Sequence, residues 1–213
     1  MPSSTRRARE RANIRASIVE TAMRLLESEG AAALTIRRIA ADVEYTAPIV
    51  YQHFANKDAL VLELVVRGYD QLLAELRRVD EASDIDGRIV RVAAQYVRFA
   101  GEHPHLYQAM NGTVTSADER RRAAAPAIDL LTELLDAWSE AHGVTLPDQS
   151  DACEILWGTL HGMAALGYLG TVGTERAQRL AEQACSTILL GWRAAGSANG
   201  LRAGSSPRSG NSG

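Results

Sequence analysis

The stretch that most restricts what this chain can fold into is residues 35–58, TIRRIAADVEYTAPIVYQHFANKD, which packs two short amphipathic helices and a tight turn into one run. Ile36, Ile39, Ala40 and Val43 recur at the i, i+3, i+4, i+7 spacing of one buried helix face, turning Arg37 and Arg38 outward. Thr35 stands where an N-cap belongs. Glu44-Tyr45-Thr46 makes the turn and Thr46 is placed to cap the second helix. Pro48 falls in that helix's first turn, where its missing N–H costs no intrahelical bond. With Val50 and Phe54 facing inward, the outward face is Ala47, Ile49, Tyr51, Gln52 and His53. That mixture of small, apolar and hydrogen-bonding groups suits base edges, thymine methyls and phosphates, so residues 35–54 read as a helix-turn-helix for double-stranded DNA.

Together with the run Tyr51-Gln52-His53-Phe54-Ala55-Asn56-Lys57, this pattern resembles the N-terminal DNA-binding domain of the TetR family of bacterial transcription regulators. The resemblance extends upstream over a first helix whose stripe of Ile14, Ile18, Ala22, Leu25 and Leu26 ends at Ser28-Glu29-Gly30, with Gly30 as its stop. It implies that Thr35, Arg37, Thr46, Ala47, Pro48, Ile49, Tyr51, Gln52, His53 and Lys57 lie at or near the DNA. The chain departs from the family at the turn, where Gly is usual at Glu44 and a smaller apolar residue at Tyr45. Glu in a left-handed turn is strained and its charge is unhelpful near phosphates, so a reshaped turn is an expected consequence.

Charge supports the same reading once its distribution is considered. The net charge is −3, yet residues 1–60 hold nine basic and seven acidic side chains, leaving the deficit to the remainder. Arg6, Arg7, Arg9, Arg11 and Arg15 against Glu10 concentrate positive charge at the N-terminus, where a loose arm would reach backbone or minor groove. Lys57 is the one lysine beside 22 arginines, and it stands at the start of the fourth helix, where a flexible ammonium meets a phosphate as a point charge. No stretch resembles a signal peptide and none approaches the ~20 apolar residues of a membrane span, so a cytoplasmic protein without membrane association is expected. Cys153 and Cys185 fall in separate helices and read as small packed residues.

Beyond Lys57 the pattern is helical throughout, giving an all-α chain: a three-helix DNA-binding domain over residues 8–56, a larger regulatory and dimerisation domain over 57–195, and a Gly/Ser-rich disordered tail over 196–213. Asn56 caps the fourth helix, whose face is Leu60, Leu64, Gly68 and Leu72, and a capping box at Ser116-Ala117-Asp118-Glu119 opens the seventh. Pro126 marks an expected kink. Trp157-Gly158-Thr159-Leu160-His161-Gly162 resembles the Trp-His-Gly signature of one TetR C-terminal subgroup. Gly158, Gly162 and Ala165 in the eighth helix and Ala177, Ala181, Ala184 and Ile188 in the ninth form small-residue faces. The resemblance implies that these two helices build a four-helix homodimer interface, and packing of eight on nine within one chain would use the same stripes.

Tyr96, Phe99, Tyr107, Met110, Trp138 and Trp157, with His161 as the strong hydrogen-bonding group beside Trp157, mark the expected place of a mostly apolar small-molecule effector, although each also reads as core. His103, His105 and His161 show no recognisable zinc spacing, and no metal or cofactor is expected. A phosphate loop, a nucleophile–base pairing and a cysteine cluster are all missing, so the chain reads as a ligand-responsive, homodimeric repressor and not an enzyme. A helical-bundle enzyme and a helical protein-interaction module are the alternatives.

Overall fold

Nine α-helices and one short 3-10 turn account for the regular structure of the computed structural model, which describes residues 2–79 and 84–203. In chain order they are α1 (Pro2–Glu29), the 3-10 turn Ala31–Ala33, α2 (Ile36–Asp42), α3 (Ala47–His53), α4 (Lys57–Arg77), α5 (Ile85–Glu102), α6 (Pro104–Asn111), α7 (Ala117–His142), α8 (Gln149–Tyr168) and α9 (Thr174–Ala203). Among the described residues no helix is long and apolar enough to cross a membrane.

The chain divides into two compact units. The first is Met1–Glu75 with Phe99–Ala127, and the second is Leu76–Arg98 with Ile128–Gly213. The first unit therefore takes in most of α4, as well as α6, alongside the helix-turn-helix, so the boundary expected at 56/57 falls inside one unit. Its core starts from the apolar stripe of α1, where Ile18, Val19, Ala22, Leu25 and Leu26 are buried with Ile36, Ile39 and Ala40 of α2, Val50 of α3 and Leu60 and Leu64 of α4. The helix ends are set by local chemistry. Gly30 takes φ 81° and donates its N–H to Leu26 O at 2.8 Å, closing α1 where a side chain would be strained. Asn56 Oδ1 accepts from Ala59 N at 2.8 Å and caps α4. At α7, Ser116 Oγ accepts from Glu119 N while Glu119 Oε2 accepts from Ser116 N at 2.9 Å, completing the capping box. Helix α7 runs unbroken through Pro126. In α4, Gly68 admits α6: a Cβ there would stand 2.8 Å from Met110 Sδ.

In the second unit α8 lies on α9. A Cβ at Gly167 would sit 3.1 Å from Ala177 Cβ, and Ala177 and Ala181 are fully buried. Asp86, in the first turn of α5, ties α7 and α9 together. Its carboxylate accepts from Trp138 Nε1 at 3.0 Å and from Arg193 Nη2 at 2.9 Å, and His142 Nε2 lies 2.6 Å away. Burial pushes this carboxyl up, but the hydrogen bonds from Trp138 and His142 and the charges of His142 and Arg193 outweigh it and hold Asp86 below its ordinary value. Helix α9 extends to Ala203, past the point where the tail was expected to begin, and residues 204–213 lie outside the described residues. Both cysteines are free and buried, and burial raises the Cys185 thiol to about 11.

Candidate nucleic-acid interface

Helix α2 starts as its sequence dictates, with Thr35 Oγ1 accepting from Arg38 N at 3.2 Å. It ends in a left-handed C-cap: Tyr45 N donates to Ala40 O at 2.8 Å and Glu44 N to Ala41 O at 3.1 Å, the two bonds of a Schellman motif. The residue that must turn left is Glu44, at φ 59°, the only non-glycine with positive φ among the described residues. The expected reshaping of the turn is therefore absent; the turn closes in the usual way and Glu44 bears the strain. Thr46 occupies the N-cap of α3 with extended backbone, but its hydroxyl makes no capping bond, contrary to expectation. Its carbonyl instead accepts from Ile49 N at 2.9 Å, and the residue is exposed.

Helix α3 is held by Val50, which is fully buried, and by Phe54 at its C-cap. Thr46, Pro48, Tyr51 and Gln52 are exposed, with Tyr51 53% exposed, while Ala47, Ile49 and His53 are half-buried. Thr35 and Arg37 of the preceding helix are exposed as well. Arg38 is committed to a bidentate pair with Glu29, which leaves Arg37 as the uncommitted arginine of α2. Lys57, in the first turn of α4, donates to Ala31 O at 3.4 Å, and an ammonium so placed keeps further donors for a phosphate. The expected DNA-contacting residues on α3 and its two neighbours are thus exposed or half-buried, and none of them is in the core.

Three features that hold α3 were not legible in the sequence. Arg15 of α1 makes a bidentate pair with Glu63 of α4 at 2.8 and 3.1 Å and lies 4.8 Å over the Phe54 ring. The Arg15 hydrogen bond keeps the Glu63 carboxyl below its ordinary value. Arg11 Nη2 donates to Gln52 O, in the last turn of α3, at 3.3 Å. His53 is held below its ordinary value by burial first, then by the charges of Arg11 and Arg15, so at neutral pH it is an uncharged hydrogen-bonding group. The N-terminal arginines are not a loose arm, because α1 is helical from Pro2.

The other expected sites fare differently. Phe99, Tyr107 and Met110 are buried in the first unit, whereas Tyr96, Trp138, Trp157 and His161 belong to the second. Trp138 is fully buried with its Nε1 spent on Asp86. Trp157 is 44% exposed, on the flank of α8 with its ring 5.9 Å from that of His161, so its expected place in the core does not hold. Burial lowers the pKa of His161. Gly158 and Gly162 face open space. They lie on an exposed stripe with Ile155, Leu166 and Leu169, and Ala165 beside it is half-buried. Ala177 and Ala181 are taken up by packing against α8 in the same chain, so they are not available to a second copy, whereas Ala184 and Ile188 are half-buried.

Comparison with known proteins agrees with this architecture. Residues 18–64 match the family described as bacterial regulatory proteins, tetR family, and residues 89–188 match a tetracyclin repressor-like C-terminal domain. The chain is 30% identical over 149 residues to an uncharacterised HTH-type transcriptional regulator, Rv0681, of Mycobacterium tuberculosis, covering 62% of this chain and 68% of that protein. Among solved structures, a protein of unknown function from Rhodococcus sp. RHA1 superposes with a TM-score of 0.67 at 23% identity, covering 82% of this chain and 94% of that one. The fatty acid degradation regulator FadR from Bacillus halodurans has the same fold, with a TM-score of 0.67 at 16% identity and coverage of 80% and 93%.

Proposed function

Because the chain belongs to the tetR family of bacterial regulatory proteins and is a DNA-binding transcriptional regulator, we propose that it works as a homodimeric repressor, released from a palindromic operator by a small, mostly apolar effector. The observation that carries the reading is the outer side of α3. Val50 and Phe54 anchor one side of a short helix, and Thr46, Ala47, Ile49, Tyr51, Gln52 and His53 remain for the major groove, flanked by Arg37 and Lys57. In this reading Tyr51 and Lys57 position the protein on phosphates, and Gln52, Ala47 and Arg37 read bases.

Dimerisation is assigned to α8 and α9. The stripe of Ile155, Gly158, Gly162, Leu166 and Leu169 exposes apolar area with glycine gaps that admit a close helix crossing, and Leu190 of α9 is 62% exposed. The effector is assigned to the second unit, beside Trp157 on α8, with His161 as its polar contact. An effector that prefers one arrangement of the heads lowers DNA affinity by the same factor by which DNA lowers effector affinity. The test is a titration in which a candidate apolar compound changes tryptophan emission and releases bound DNA over the same concentration range. The wild type is compared with Trp157→Phe and His161→Ala. Variants that shift the response while leaving effector-free DNA affinity within a few-fold support the reading; equal loss of DNA binding without compound contradicts it.

A further inference from the structure

We infer that the N-terminal turns of α1 form a rigid basic spar whose Arg7 and Arg11 hold duplex DNA backbone phosphates beyond the C-terminal end of α3; this rests on α3 being the recognition helix. Arg7, Arg11 and Arg15 stand at i, i+4 and i+8, so they share one face of α1 and step about 6 Å along its axis at a time. The inner two fix where that face points. Arg15 is locked on Glu63 and over Phe54, and Arg11 donates to Gln52 O at the end of α3. Arg7 continues the row one turn further out.

Every side chain from Thr5 to Asn13 is exposed, so this part of α1 carries charge without burying apolar surface. Arg6 and Arg9 lie on its other flank, lining a groove with Glu10, Asn13, Ser17 and Tyr45. Within Thr5–Asn13 four arginines face one carboxylate, Glu10. A projecting helix with that balance, continuous with the exposed side of α3, complements a polyanion that runs past α3, and the occupant that extends there is the DNA duplex itself. Guanidinium groups held at the DNA backbone touch phosphates and not base edges, so the spar adds affinity and salt dependence without sequence preference.

The test uses the full chain and a fluorescein-labelled mixed-sequence duplex of about 30 base pairs, roughly three helical turns, with affinity followed by anisotropy across a salt series. Arg7→Ala should reduce the slope of log affinity against log salt by about 0.9, and Arg7→Ala with Arg11→Ala by about 1.8. Between about 50 and 200 mM salt the advantage of wild type over the double variant then shrinks about 12-fold. Arg7→Lys should keep the slope. Because Arg11 also holds α3, the single Arg7 variant, whose circular dichroism and melting should match wild type, carries the decision. Lys57→Ala runs in parallel. If Lys57→Ala lowers the slope by about 0.9 and Arg7→Ala leaves it unchanged, the spar is wrong and the recognition reading stands. If neither variant changes the slope, or wild type does not bind the duplex, the recognition reading falls and the spar with it. Loss confined to a single-stranded oligonucleotide would assign the stripe to another polyanion and overturn its assignment to duplex DNA.

Discussion

Replacing Glu44 by glycine should make the protein more stable, although it removes a side chain and adds no contact. Glu44 holds φ 59° at the left-handed position of the turn between α2 and α3. There an L side chain costs about 1–2 kcal/mol from the clash of Cβ with the following carbonyl. Glycine removes that cost and returns about 0.4–1 kcal/mol of it through the greater freedom of the unfolded chain. The net expectation is a gain of about 0.5–1 kcal/mol, or about 1–4 °C in melting temperature for a chain of this size. The three tryptophans, Trp138, Trp157 and Trp192, all lie in the second unit, so far-UV circular dichroism is the suitable probe and tryptophan emission is not. Glu44→Ala separates backbone from charge, since alanine keeps the left-handed strain and loses the carboxylate. If alanine stabilises as much as glycine, or if glycine lowers the melting temperature, the strain argument is refuted. In DNA binding the order differs: both variants remove a negative charge beside the interface and should bind an anionic duplex more tightly than wild type.

Gly162→Leu should leave the melting of dilute protein nearly unchanged, because a Cβ at Gly162 meets nothing within 4 Å, yet it should weaken self-association by light scattering across a dilution series; unchanged association would remove the α8 stripe from the interface. Gly68→Val should cost about 1–3 kcal/mol by driving volume against Met110 and Leu106, and Met110→Ala in the same chain should restore part of the loss, as read by chemical denaturation. Stability should also follow pH in two steps. His53, shifted by burial and then by Arg11 and Arg15, and His161, shifted by burial, are both held below 6.5, so the unfolded chain takes up protons first and stability falls as pH drops from about 6.5 through their folded values. Glu63 and Asp86 are held below 4.5 and 3.8, so their contribution, present above those values, is lost on further acidification. A melting temperature flat from neutral pH down to about 5 would contradict the histidine step.

What the sequence made legible was local. Thr35, Asn56 and the box at Ser116 and Glu119 act within three residues of themselves, and Gly30 closes its own helix, so residue type and spacing sufficed. Glu44 was readable as the awkward residue of the turn for the same reason, though whether the turn would change shape or bear the strain depends on the surrounding packing. The pairs that aim the candidate interface join distant segments. Arg11 meets Gln52 across 41 positions and Arg15 meets Glu63 across 48; within the second unit, away from that interface, Arg193 meets Asp86 across 107, and no periodicity encodes such meetings. Small-residue stripes are ambiguous in principle, because they permit close approach without naming the partner. Ala177 and Ala181 went to α8 of the same chain, and Gly158 and Gly162 were left facing open space. Trp157 illustrates a different limit: hydrophobicity alone cannot separate the centre of a buried face from its flank, and Trp157 sits on the flank of α8. The Gly/Ser composition after Ala195 suggested an end to structure, but α9 keeps its helical bonding to Ala203.

The most direct test is selection of bound duplexes from a randomised pool by the purified chain, followed by sequencing, with Gln52→Ala carried through the same rounds. Wild type should enrich an inverted repeat whose half-sites are centred about one helical turn or slightly more apart, ~34–36 Å upward. Gln52→Ala should enrich the same spacing with preference relaxed at one position in each half-site. Enrichment of no motif by wild type, or an identical motif from the variant, would contradict the claim that α3 reads DNA.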